Sequence, residues 1–188
     1  MKEFFVLVVL VNFLSLPLLA QDKVEVFGGY QYLHTGNITV DGQTDPNSSQ
    51  GFNGWNASAT FYFSKYLGVT GDFGGAYASI EGVLGHVYTY TGGPVLSFRK
   101  GKINPFVHLL VGAVDLGASE DGVSASRTGL TAMFGGGADL RVLRRLSWRA
   151  QMDYLRSSNI TLINDEVQNV PNPPVWHLQI STGPVFHF

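Results

Sequence analysis

Leu146-Ser147-Trp148-Arg149-Ala150-Gln151-Met152-Asp153-Tyr154-Leu155 alternates without a break. Leu146, Trp148, Ala150, Met152 and Tyr154 fall on one face; Ser147, Arg149, Gln151 and Asp153 fall on the other. A period of two is the side-chain period of a β-strand. Working outward, the same alternation recurs in Val24–Leu33, Trp55–Phe63, Leu67–Tyr77, Tyr88–Phe98, Thr128–Leu140 and Val175–Phe188. Pro105–Val114 is more uniformly apolar, with His108 set against Val107, Leu109 and Val111. Together these segments make eight strands, and no convincing amphipathic helix stands between them.

The connections alternate in length. Short turns join the second and third strands (Ser64-Lys65-Tyr66), the fourth and fifth (Arg99 to Asn104) and the sixth and seventh (Arg141 to Arg145). Long loops are expected at about His34 to Gly54, Ala78 to Val87, Asp115 to Arg127 and Arg156 to Pro174. Short turns at one end, long loops at the other and an even strand count are the anatomy of an outer-membrane barrel. Charge follows the same division. The turns hold Lys65, Arg99, Lys100, Lys102, Arg141, Arg144 and Arg145 out of 12 basic residues; the loops hold Asp41, Asp45, Glu81, Asp115, Glu120, Asp121, Asp165 and Glu166 out of 14 acids. Basic turns suit anionic headgroups, although turns are polar in most folds.

Composition narrows the classes. The chain has 188 residues, 45% hydrophobic and only 14% charged, against roughly 25% charged in an ordinary soluble domain. A net charge of −2 gives no basic face for nucleic acid. Cys is absent, which excludes disulfide scaffolds, thiolate metal sites, cysteine nucleophiles and a lipoprotein anchor. Lys2 and the apolar run from Phe4 to Ala20 read as a signal peptide, residues 1–20, with cleavage after Ala20 although Leu18 fits its position poorly. An uncleaved anchor is the alternative; the run is short for a span of about 20 residues. Residues 21–188 then form one domain.

A soluble barrel also alternates, but turns its apolar face inward. Here one face is almost wholly Ala, Val, Leu, Phe, Tyr, Trp and Gly, while the other carries Glu25, Thr70, Asp72, Asp139, Arg149, Gln151 and Asp153. A soluble protein does not leave so many apolar faces in water. A lipid-facing band must exclude charge, because a cation at the bilayer midplane costs roughly 2–4 kcal/mol, and only a closed sheet satisfies every backbone amide in lipid. The reading is therefore an all-β, eight-stranded antiparallel up-and-down transmembrane β-barrel. Gly28-Gly29, Gly74-Gly75, Gly92-Gly93 and Gly135-Gly136-Gly137 allow the bending and close approach that a small barrel needs. Trp55, Tyr88 and Trp176 on the loop side, and Phe63, Phe98, Trp148, Phe186 and Phe188 on the turn side, suggest interfacial girdles, with plain packing as the alternative.

The last strand, Ser181-Thr182-Gly183-Pro184-Val185-Phe186-His187-Phe188, ends on Phe. Thr91-Gly92-Gly93-Pro94-Val95-Leu96-Ser97-Phe98 nearly repeats it. With Val24-Glu25-Val26-Phe27-Gly28-Gly29-Tyr30, Gly68-Val69-Thr70-Gly71-Asp72-Phe73, Asn104-Pro105-Phe106 and Asp153-Tyr154, residues 21–188 resemble the eight-stranded OmpA-like outer-membrane β-barrel families. The resemblance implies a Gram-negative outer-membrane location, lipid contact, and a terminal signal (Ser181, Gly183, Phe186, Phe188) read by the barrel assembly machinery. It covers the barrel alone, without the peptidoglycan-binding domain of OmpA itself.

An eight-stranded barrel is just wide enough for side chains to fill. Arg149 is the expected hub of a lumen ion-pair network, within reach of some of Glu25, Asp72, Asp139 and Asp153. The resemblance implies an interior ion-pair gate of this kind, so a plugged barrel and a narrow gated channel both stay open. Enzyme readings are weaker: no His-x-Ser arrangement of the lipid A deacylase kind occurs on a late strand, His34 and His86 sit near loops, and His108 reads as a lumen residue. Asp41-Gly42-Gln43-Thr44-Asp45 is only faintly calcium-loop-like. Four Asn-x-Ser/Thr sequons (Asn37, Asn47, Asn56, Asn159) read as chance in an envelope protein. No cofactor, metal or catalytic residue is expected. The expected role is structural or adhesive, with the loops meeting an extracellular ligand or host surface; a narrow channel and a lipid-modifying enzyme are the alternatives.

Overall fold

A computed structural model describes residues 23–36, 39–40, 43–44, 51–80, 83–99, 101–120, 123–162 and 175–188. The expected signal peptide and its cleavage site lie outside them. Eight long strands form the barrel: β1 (Val24–Thr35), β2 (Gly51–Tyr62), β3 (Leu67–Ile80), β4 (Val83–Ser97), β5 (Ile103–Glu120), β6 (Val123–Leu143), β7 (Leu146–Leu162) and β8 (Val175–His187). Each pairs antiparallel with its sequence neighbours, and β8 returns to pair with β1, closing the sheet. At this seam Phe188 N–H donates to Val24 O at 2.9 Å and Val24 N–H to Phe188 O at 3.3 Å. A two-residue ladder, Thr39–Val40 with Gln43–Thr44, lies between β1 and β2.

Strict alternation sends each strand's two faces to different surroundings. Phe61, Val69, Phe73, Leu109, Val111, Leu130, Phe134, Met152 and Ile180 point outward and are exposed, Leu130 to 65%. Thr60, Thr70, Asp72, Thr91, Arg149, Gln151, Asp153, Gln179 and Ser181 point inward and are buried. The greasy side is thus the outside of the barrel. The aromatic side chains Trp55, Phe63, Phe98, Trp148, Phe186 and Phe188 are exposed on that surface, and Tyr88 is half-buried there. The side chain of Trp176 lies outside the described residues.

Two of the expected long loops are corrected. Ile80 pairs with Val83, and Glu120 pairs with Val123. The strands therefore run on into protruding hairpins, with two residues between the last paired positions. Glu81-Gly82 and Asp121-Gly122 occupy those positions, and Asp-Gly is a strong two-residue hairpin signal. At the opposite end, Ser64 Oγ accepts from Leu67 N–H at 2.9 Å and fixes the β2–β3 turn.

Candidate functional site

The lumen is the candidate site, and it is stacked in three layers. Nearest the short turns, Glu25 is the hub. Its Oε2 accepts from Arg149 at 3.3 Å and from the Tyr62 hydroxyl at 3.2 Å. Its Oε1 pairs with Arg99 and lies 3.3 Å from His187 Nδ1. Arg149 in turn forks onto Asp139, with Nε–Oδ1 2.7 Å and a second bond of 2.8 Å to Oδ2. The fork fits the register, in which Asp139 of β6 faces Arg149 of β7 directly. Both guanidiniums also sit over rings: Arg99 over Tyr62 at 3.9 Å and Arg149 over Phe106 at 4.4 Å. A buried charge is tolerated only when paired and hydrogen-bonded this fully.

Above this layer stands a second, separate polar cluster. His108 Nε2 lies 2.7 Å from Asp153 Oδ1, and Gln151 donates to Asp153 Oδ2 at 3.0 Å. Asn56 donates to Asp72 Oδ1 at 2.8 Å. Among the described residues, Gln31 Oε1, Thr89 Oγ1, Thr91 Oγ1 and Gln179 Oε1 are buried without a hydrogen-bond partner; such groups are ordinarily satisfied by ordered water. Of the residues expected around Arg149, the structure brings Glu25 and Asp139 to it and holds Asp72 and Asp153 in this other cluster.

Toward the loops the lumen turns apolar. Leu33, Ala76, Val87, Leu110, Val114, Met133 and Leu155 form one buried cluster, with Phe52 and Leu116 packed against it. Leu110 and Met133 have no exposed surface at all. This layer explains why β5 reads as apolar on both faces: its inner residues pack in the lumen while its outer ones meet lipid.

Sequence reasoning missed two features. Arg99 lies two residues past the end of β4, where period-two logic stops, yet its side chain turns back to Glu25. Ser147 Oγ and His187 Nε2 are 2.8 Å apart, and His187 faces Glu25. The order serine, histidine, carboxylate is that of a hydrolytic triad. However, Ser147 is fully buried, and the carboxylate of Glu25 is already engaged by two arginines and Tyr62. Ser147 and His187 were legible as inward residues; their meeting was not, because the residues are 40 apart in sequence.

The terminal-strand residues divide between the surfaces: Ser181 and Gly183 face inward and are buried, while Phe186 and Phe188 are about half exposed outside. Among the described residues no group of three or more His, Cys, Asp or Glu is placed to hold a metal ion.

Residues 6–172 match the family described as outer membrane protein beta-barrel domain. Three solved structures share the fold. Neisserial surface protein A (NspA) is 12% identical, with a TM-score of 0.70 over 90% of this chain and 100% of that one. Ail, the attachment invasion locus protein of Yersinia pestis, is 19% identical, with a TM-score of 0.58 over 88% of this chain and 97% of its own. Ail in complex with the heparin analogue sucrose octasulfate gives 19% identity and a TM-score of 0.56, over 88% and 99% of the two chains. At these identities the likeness shows the fold alone. No curated protein sequence matches the chain. The chain belongs to the outer membrane protein beta-barrel domain family, as an eight-stranded OmpA-like barrel of the bacterial outer membrane.

Proposed function

We propose that this barrel is a closed platform whose outward hairpins and loops form an adhesion or recognition surface, and that it neither conducts nor catalyses. The sealing layer around Leu110 and Met133 carries the reading. An apolar layer between the polar lumen and the loop end, to which seven buried side chains contribute, opposes passage of an ion. The lower ion-pair layer, with Arg149 shared between Glu25 and Asp139, is the feature that favours a narrow gated channel, but opening it still leaves the apolar plug in place. The complete burial of Ser147 supports a structural role for its hydrogen bond to His187.

An extracellular ligand is in keeping with the sucrose octasulfate complex of Ail. The charge here suggests a different chemistry. Asp41, Asp45, Glu81, Asp121, Asp165 and Glu166 in the connections, with Asp115 and Glu120 in the last part of β5, make the loop end acidic, which opposes a sulfated polyanion and suits a cationic or hydrogen-bonding partner. We further propose that a signal peptide at 1–20 directs export, and that Ser181, Gly183, Phe186 and Phe188 form the signal recognised by the assembly machinery.

Planar-bilayer recording of the refolded chain tests the plug: no resolved steps are expected, and reproducible unitary steps would overturn it. Attachment of chain-expressing cells to immobilised polycationic and sulfated-glycan surfaces tests the loops. Preference for the polycation, lost when Glu120 and Asp121 become Gln and Asn, is expected; preference for the sulfated glycan would contradict the charge argument.

A further inference from the structure

The short-turn end of the barrel holds a cavity of about 420 Å³, within the range of roughly 300–1,000 Å³ of small-molecule sites. Four cations line it: Lys23, Lys65, Arg99 and Arg141. They come from four different places in the chain, namely the entry to β1, the β2–β3 turn, the exit from β4 and the end of β6. Only barrel closure brings them to one mouth. Tyr62 and Ser64 complete the wall, and Phe63 flanks it. The nearby carboxylate, Glu25, pairs with Arg99 from inside and is also engaged by Arg149 and Tyr62, so Arg99 reaches the cavity as a partly neutralised cation.

Four cations from four segments converge on this one cavity, and their combined field favours an anion held among them. The donor set fits a phosphate. Arginine offers planar forks matched to phosphate oxygens, and lysine adds point charge. Ser64 Oγ accepts from Leu67 N–H and Tyr66 N–H, which leaves its own proton to donate. Phe63, 64% exposed on the outer wall, offers a surface on which an acyl chain can lie. In outer-membrane barrels the short turns face the periplasm, where the leaflet is built of phospholipid.

We propose that this mouth is a phosphate-binding site on the periplasmic side of the barrel, taking the headgroup of an anionic phospholipid or a free phosphate ester. The site rests on the membrane placement and not on the adhesive reading of the loops.

The test uses the full chain folded in uncharged detergent micelles. Binding of phosphatidylglycerol and phosphatidylcholine is followed by native mass spectrometry, with inorganic phosphate and glycerol 3-phosphate as competitors. The double variant Lys65→Gln/Arg141→Gln is compared with Lys102→Gln/Arg144→Gln, which removes equal charge from the same end outside the cavity. Retention of phosphatidylglycerol over phosphatidylcholine, weakened about tenfold by the first pair and less than about twofold by the second, is expected. Competition by the soluble phosphates assigns the site to any phosphate ester; its absence assigns it to the lipid headgroup. Should the double variant fail to show the folded gel mobility, Lys65→Gln alone, on an exposed turn, carries the comparison. Equal loss in both pairs, equal binding of the two lipids, or no binding overturns the proposal.

Discussion

His108 of β5 and Asp153 of β7 meet at 2.7 Å across the intervening strand β6. Register places both opposite the same residue, Gly135. A side chain at 135 would fall on the Asp153 carboxylate and the Met152 carbonyl. The absent Cβ is what lets two strands that are not neighbours in the sheet share a buried pair.

Gly135→Ala is therefore expected to destabilise the barrel by about 1–3 kcal/mol, the usual cost of overpacking, read as a lower urea midpoint in vesicles. An unchanged midpoint would show that the pair tolerates a methyl between its members.

Arg149→Ala leaves Glu25 and Asp139 buried without their shared cation. Breaking such a pair costs about 3–5 kcal/mol, and urea unfolding should report a loss of that size, partly restored by Arg149→Lys. Equal stability of Arg149→Ala and the parent would show that its pairing with Glu25 and Asp139 does not hold the barrel together.

The apolar lumen layer has its own test. Leu110→Ala and Met133→Ala each delete a side chain with no exposed surface and should each cost about 2–5 kcal/mol. A loss below about 0.5 kcal/mol, the surface range, would mean that the lumen is loosely filled at this level.

How much of this was legible in the sequence depends on what period two encodes. It encodes direction, so the inward and outward sides of Leu146–Leu155 and the other strands read directly; the alternation of short turns and long loops held only in part, since two of the four expected loops are hairpins. It does not encode which inward residues meet across strands. Asp153 was readable as a lumen acid, yet its partner is His108 because of Gly135, and not Arg149, which stands one polar layer lower. Nor does it reach beyond a strand end, which is why Arg99 read as a turn residue. The protruding hairpins at Ile80–Val83 and Glu120–Val123 were masked by polar strand tips that look like loop.

Deleting Phe188 removes both backbone hydrogen bonds of the residue to Val24 at the barrel seam together with its exposed ring. Outer-membrane yield of the truncated chain should fall well below that of the parent, while Phe188→Tyr should retain it. Full yield of the truncated chain would contradict a role for the terminal aromatic in insertion.

Depth-dependent quenching tests the orientation of the two faces. The three native tryptophans, Trp55, Trp148 and Trp176, are replaced by Phe, and a single Trp is introduced either at Phe134, 61% exposed on the outer wall, or at Leu110, fully buried inside. Folded into vesicles of lipid brominated near mid-chain, the Phe134→Trp protein should be strongly quenched and the Leu110→Trp protein should not. Strong quenching at 110 with protection at 134 would mean that the lipid wets the other side of the sheet.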